Sequence, residues 1–339
     1  MAVAHKLAER PAKVRAGAQD GACRLGEGRP LCFNPRHVCG SRPVPGRCLR
    51  FGKMQVSKMQ VTAESKFIGL GVAGNFAGHL EQAGEASDFV AVVVRDTSAP
   101  KALFPFYVPG HPGQLGVFPL SGAAIFLPEA AVSGDEKVQI EPEVALWCEL
   151  EYAGERVVAI HPRAFGAYND CSIRRPNAKK ISEKKNWGEE SKGLAPGLLP
   201  LSHFAAGCEL DDYRIACYLE RDGELHPYGV DSAAVDYSYF HGQLLTWAID
   251  KFNHQQDEGP AEHIQGLLAQ AGRPAHALIS IGATRYTPFG ETHFLKPGDT
   301  ACVLLYPASR YDEAAIREAI RARRFGPDMS VLLQAVKTR

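Results

Sequence analysis

A β-rich α+β fold is the class this sequence predicts, and three observations lead there. Segments with strand composition outnumber helical ones. They fall at 66–70, 89–95, 143–151, 157–160, 213–220, 277–281 and 300–306, whereas helical patterning is confined to 75–83, 242–253, 261–271 and 313–323. The two kinds of segment do not alternate as repeating strand–helix–strand units, and no internal repeat is visible.

In chain order, the first 58 residues stand apart. They hold twelve Lys/Arg against three Asp/Glu, a balance of +9, and are rich in Arg, Gly, Pro and Cys without helical or strand periodicity. Such a segment is expected to be disordered. The text then repeats itself as Met54-Gln55-Val56-Ser57-Lys58 and Met59-Gln60-Val61, so this leader reads as a detachable or upstream extension, and a single domain is expected over 59–330. The whole chain is formally neutral, so the remainder carries −9. An acidic body argues against nucleic acid as a partner, because phosphate contacts need Lys and Arg.

Nine cysteines are present, four of them (Cys23, Cys32, Cys39, Cys48) in the leader, and no pair has C-x-x-C spacing. Cys148, Cys171, Cys208, Cys217 and Cys302 sit among apolar residues and are expected to be buried free thiols. No apolar run approaches the roughly 20 residues a membrane helix needs, and no apolar signal region is visible near the N-terminus. A soluble cytoplasmic protein is the expectation.

Gly69-Leu70-Gly71-Val72-Ala73-Gly74 matches G-x-G-x-x-G after a strand and before a helix, with Asp96 downstream. That is the dinucleotide fingerprint, in which glycines let a pyrophosphate approach a helix N-terminus. A nucleotide-binding sheet needs further strand–helix alternations, which the following stretch lacks, so a dinucleotide-binding oxidoreductase is the lesser alternative.

The same region, read for side chains, places His79 on a short helix, where a carboxylate-oriented imidazole serves as a general base. Further on, Glu141 and Glu143 lie two apart on a strand and so share a face. Two carboxylates on one face repel unless a cation lies between them, and hard oxygen ligands suit Mg²⁺, Mn²⁺ or Ca²⁺. Asp170, in Asn169-Asp170-Cys171-Ser172-Ile173-Arg174, supplies a third carboxylate. Lys192, in Ser191-Lys192-Gly193-Leu194-Ala195-Pro196, offers positive charge to an anion.

Together these segments resemble the fumarylacetoacetate hydrolase superfamily. Its members carry Gly-Asn-Tyr-x-x-His, Phe-x-Lys-Pro, an x-Leu-Pro turn, Glu-x-Glu on a strand, Asn-Asp-x-Ser-x-Arg and Lys-x-x-Asp-x-x-Ala-Pro. They close with Asn-Gly-Glu, Gly-Thr-Pro and Leu-x-x-Gly-Asp. The corresponding pieces here occur in that order at 75–79, 106–109, 126–128, 142–146, 169–174, 192–196, 222–224, 282–284 and 295–299. The chain departs from the pattern at Gln82, where a Glu usually follows the His, at Ala145, where a second acid is expected, and at Val108, in place of a Lys.

The resemblance implies a β-roll or sandwich with short helices, a homodimer, and a small oxo or dicarbonyl acid held on Mg²⁺ or Mn²⁺. It implies Glu143, Asp170 and Glu141 as metal ligands, and His79 as the base with Glu81 or Gln82 orienting it. It also implies Lys192 as the catalytic cation, and Arg174 and Thr284 as holders of the substrate carboxylate. The reaction implied is hydrolysis, C–C cleavage or decarboxylation. The altered acids leave a catalytically degenerate binding or interaction protein as the alternative.

Overall fold

The computed structural model describes residues 58–85, 96, 98–175 and 178–339. The leader up to residue 57 and the strand expected at 89–95 lie outside the described residues. Residues 55–339 form one unit.

The fold is α+β, sheet-rich, with few and mostly short helices. Its strands are β1 (Ile68–Ala73), β2 (Ala102–Tyr107), β3 (Leu120–Ser121), β4 (Ala124–Phe126), β5 (Val138–Gln139), β6 (Pro142–Ala153), β7 (Arg156–Asn169) and β8 (Ser172–Ile173). There follow β9 (Lys192–Leu194), β10 (Leu199–Pro200), β11 (Tyr213–Arg221), β12 (Glu224–Ala233), β13 (His276–Ser280), β14 (Thr300–Pro307) and β15 (Ser330–Lys337). The α-helices are α1 (His79–Gln82), α2 (Glu129–Ser133), α3 (His241–His254), α4 (Ile264–Gln270), α5 (Pro288–Thr292) and α6 (Glu313–Ala322). Among the described residues no helix is long and apolar enough to cross a membrane.

One sheet runs β2-β1-β13-β6-β7-β9-β3, with β10 paired to β7; a second runs β12-β11-β14-β15-β4. The main core, including Leu70, Val144, Leu146, Phe165, Ile215, Val303 and Leu332, draws on both sheets. β6 alternates cleanly between two layers. Val144, Leu146 and Cys148 join that core, while Ala145 and Trp147 join an aromatic cluster with Phe67, Phe106, Tyr107 and Tyr168.

Several elements differ from the sequence reading for identifiable reasons. β7 continues past Ile160 to Asn169 because the ladder shifts register where Pro162 faces Cys148, and such a bulge tolerates the missing donor. β2 contains Pro105 and is an edge strand whose register shifts against β1 at that point. β12 holds Pro227 and Gly229 at similar shifts. β15 lies beyond the expected domain end at 330, yet it pairs with both β14 and β4. Its buried face includes Ser330 and Gln334, which breaks the apolar alternation that marks a strand.

The glycines of the G-x-G-x-x-G segment have a packing role. A Cβ on Gly69 would lie 2.3 Å from the Phe106 ring, and one on Gly71 would lie 2.2 Å from the Phe104 ring. They make room for aromatic rings of the antiparallel neighbour β2 rather than for a pyrophosphate. Asp96 is engaged by Ser98 and by the Tyr239 hydroxyl. The five described cysteines are free and buried, as expected.

Gly71→Ala should lower stability by about 1–3 kcal/mol in urea unfolding, the usual range for overpacking a closed core; an unchanged midpoint would refute the ring-packing role. A second test concerns Glu262, whose carboxyl is pushed up to about 7, first by burial. One of its oxygens accepts from the Ser182 N–H, while the other has no hydrogen-bond partner. The folded state therefore holds its proton longer than the unfolded chain, so the contribution of Glu262 to stability is fully present at low pH and is lost as pH rises through 7. Relative to Glu262→Gln, the wild type should lose about 1–3 kcal/mol between pH 5 and pH 8, read from denaturant midpoints across that window.

Candidate metal centre

The acidic centre is built by strand register. At one end of the β6–β7 ladder Pro142 pairs with Asn169 and Glu143 with Tyr168. Glu141 precedes this pair on one strand and Asp170 follows it on the other. The Asp170 N–H donates to the Glu141 carbonyl at 2.9 Å, and the Glu141 N–H donates to Asn169 Oδ1 at 3.1 Å. The Asn169 amide continues to Gln334 Oε1 on β15 at 3.1 Å. Segments distant in sequence are thereby locked side by side. Glu141, Glu143 and Asp170, exposed by only 3%, 2% and 0%, each present a carboxylate oxygen within 4.8 Å of the others.

At Ala145, where the resemblance implies a second acid, the chain has none, and Glu141 stands on the other side of Glu143 instead. Glu141 and Glu143 already supply an acid-x-acid pair. Two residues further on, Ala145 points into the aromatic cluster, where an unpaired carboxylate would be costly.

Cations surround the acids. The Arg174 guanidinium lies 2.8 Å from Glu141 and 2.9 Å from Glu85. The Lys185 ammonium is 2.6 Å from both Glu141 Oε2 and Asp170 Oδ2. Lys192 is 3.1 Å from Asp170 Oδ1 and donates to the Cys171 carbonyl. Lys184 is 2.9 Å from Glu85. Four carboxylates (Glu85, Glu141, Glu143, Asp170) thus meet four basic groups. Each Asp170 oxygen thus faces an ammonium group, and the Tyr168 hydroxyl also interacts with this carboxylate.

Protonation follows the pairing. Burial pushes the Glu141 carboxyl up, but Lys185 and Arg174 outweigh it and hold it well below its ordinary value. Glu143 goes the other way: burial, then Asp170 and Glu141, raise it well above the usual range, against the opposing hydrogen bond from the Gly282 N–H at 2.9 Å. It is the acid left over once the cations are assigned. Burial disfavours the Lys185 ammonium, yet Asp170 and Glu141 raise its affinity for the proton. Burial lowers the Lys192 ammonium, and Lys185 adds to the effect.

His79 is buried at the start of α1, and its Nδ1 lies 2.9 Å from the Thr284 carbonyl. A carbonyl only accepts, so Nδ1 carries the hydrogen and Nε2 the lone pair. Burial lowers the imidazole's affinity for a proton and keeps it neutral. Asn75 fixes this arrangement, because its amide donates to the carbonyls of Ile281 and Tyr239 while its oxygen accepts from the Tyr239 N–H. The exits of β1 and β13 are clipped together, which brings Thr284 to His79.

Two expected partners of His79 do not reach it. Glu81 is exposed on the outer face of α1. Gln82 spends its amide on the Tyr286 backbone, donating to the carbonyl and accepting from the N–H. A one-turn helix presents one side to the protein, and the Thr284 carbonyl takes the orienting role. The Thr284 hydroxyl is buried without a hydrogen-bond partner among the described residues. Arg174 is fully engaged, donating also to Gln139 and to the Tyr286 hydroxyl.

Sequence reading missed Glu85, Lys184 and Lys185. The lysines lie in a polar run, 178–190, that reads as solvated surface, yet both are 3% exposed. A second group, Cys208, Asp211 and His241, also converges, but Asp211 Oδ1 there accepts from both His241 Nε2 and the Cys208 thiol and closes the set by hydrogen bonds. By donor type and number, Glu141, Glu143 and Asp170 fit a hard divalent ion; two of these acids are also the contacts of Lys185.

By sequence, no curated protein matches the chain. Among solved structures it is similar to Cg1458 in complex with an inhibitor, at 15% identity over 81% of this chain and 78% of that one, with a TM-score of 0.46. It is similar to yeast ynq8, a fumarylacetoacetate hydrolase family protein, at 14% identity over 80% and 93% of the two chains, with a TM-score of 0.45. It is also similar to 4-oxalocrotonate decarboxylase from Pseudomonas putida G7, complexed with calcium and acetate, at 14% identity over 80% and 78%, with a TM-score of 0.35. These likenesses are distant and say nothing about activity. A family profile matches residues 85–336, spanning β2 through β15 and with them the acidic centre, and the chain belongs to that family, DUF5718, a family of unknown function.

Proposed function

We propose that this chain is a divalent-metal-dependent enzyme of the fumarylacetoacetate-hydrolase type. It acts on a small 2-oxo or dicarbonyl acid by hydrolysis, C–C cleavage or decarboxylation. The observation that supports this best is the convergence of three buried carboxylates, a donor set for Mg²⁺ or Mn²⁺ that would consist of Glu141, Glu143 and Asp170. When bound, such an ion polarises a substrate carbonyl as a Lewis acid.

The chain's own residues supply the rest. His79, neutral and with Nε2 unprotonated, takes a proton from water. The Lys192 ammonium offsets negative charge growing on a substrate oxygen. The Thr284 hydroxyl, lacking a partner, donates to a substrate carboxylate. Arg174 acts by positioning: it holds Glu141 and Glu85 rather than the substrate. A second reading, a small-acid-binding protein without turnover, is favoured by one observation, the pairing of Glu141 and Asp170 with buried basic side chains of the chain itself.

The reading is tested by melting the full chain with and without Mn²⁺. A rise in Tm of several degrees at saturating ion is expected, and Glu143→Gln, which can keep the Gly282 hydrogen bond, should diminish it. A wild-type Tm that ignores divalent ions would eliminate the metal-dependent enzyme; stabilisation by a 2-oxo acid without turnover would favour the binding protein. Arg174→Met takes from two buried carboxylates, Glu141 and Glu85, a cation that each shares with a lysine, and should cost up to about 3–5 kcal/mol in denaturant unfolding. Unchanged stability with weakened 2-oxo acid binding would instead make Arg174 a substrate contact.

A further inference from the structure

We propose that Lys185 is a built-in competitor for the divalent ion, its ammonium occupying the cation position between Glu141 and Asp170 so that an ion enters only by displacing it. The inference rests on reading these acids as a cation centre, as proposed above.

Geometry carries it. The ammonium lies 2.6 Å from an oxygen of each of two acids that, with Glu143, form the only all-carboxylate group of this kind among the described residues. Mg²⁺ holds its oxygens at about 2.0–2.1 Å, so an ion on Glu141 and Asp170 would overlap or closely abut that ammonium. Charge points the same way. With Arg174 beside Glu141 and Lys192 beside Asp170, adding a dication while retaining the Lys185 ammonium would crowd positive charge into a buried site.

The side chain, rather than the backbone, is what can move. Lys185 follows a single short turn, Ile181–Lys184. The next residue is pinned, since the Asn186 amide donates to the carbonyls of Phe106 and Val117. Lys185 reaches the acids across the Phe104 ring, 5.1 Å from its centroid, on a flexible four-carbon stem. Arg174 cannot act in this way because four protein groups hold its guanidinium. Lys192 meets only Asp170 of the three acids.

The test is Mn²⁺ binding to the full chain by titration calorimetry, comparing wild type with Lys185→Met, Lys185→Gln and Lys185→Arg. Met and Gln should lower the Kd by about tenfold or more, because they remove the competing charge, while Arg should not. If wild type binds Mn²⁺ and neither neutral variant binds tighter, the competition is overturned and the proposed function stands. If only the neutral variants bind, the competition holds and the wild type is not a metal enzyme. If none of them binds, both ideas fail. Should the neutral variants not fold, ¹⁵N-lysine spectra of the wild type decide. The exchange-protected Lys185 ammonium signal, assigned with the Arg variant, should lose its protection when Mg²⁺ is added; a signal that stays protected while Mg²⁺ binds, or Mg²⁺ that fails to bind, overturns the competition.

Discussion

The pairing of Pro142 with Asn169 is the constraint on which the site depends. Just beyond it, the Asp170 N–H donates to the Glu141 carbonyl and the Glu141 N–H to the Asn169 side-chain oxygen. A ladder of this kind cannot slip by one residue without turning every side chain to the opposite face. Here that would send Glu143 into the main core and Val144 toward the acids. The interleaving of apolar layers along β6 therefore fixes where the charges meet, and the hydrophobic core positions the polar centre.

Like charges brought together in this way need compensation, since carboxylates buried side by side repel strongly at low dielectric. The structure supplies it from a separate segment around Lys184 and Lys185 and from Arg174, just past the β7–β8 turn. Glu143 forms no direct ion pair among the described residues and accepts a hydrogen bond from the Gly282 N–H instead. The centre is consequently uneven: Lys185 and Arg174 hold Glu141 charged, while burial and the neighbouring acids hold Glu143 toward its neutral form.

Much of this could be read from the residues. Alternation along a strand put Glu141 and Glu143 on one face, and the Asn-Asp segment supplied Asp170, because strand periodicity and ligand chemistry are local properties. The departure at Ala145 was legible too, and the period-2 strand explains why Glu141, two residues before Glu143, can share its face. Lys185 was illegible for the opposite reason. Its burial is a tertiary fact, and a lysine between Glu183 and Glu189 has the composition of a solvated turn. The helix around His79 was expected to be longer, and the shorter turn is why Glu81 and Gln82 face elsewhere. β15 escaped notice because Gln334 and Ser330, buried to bond β4 and β7, interrupt its apolar rhythm.

The Asn75 clip has a consequence for how such a site could diversify. One carboxamide binds the ends of two different strands, so the imidazole and the Thr284 hydroxyl travel as a rigid pair. Evolution could not retune one without dragging the other. New chemistry on this scaffold would have to come from other residues or from the choice of cation, leaving the proton-handling hardware fixed in place.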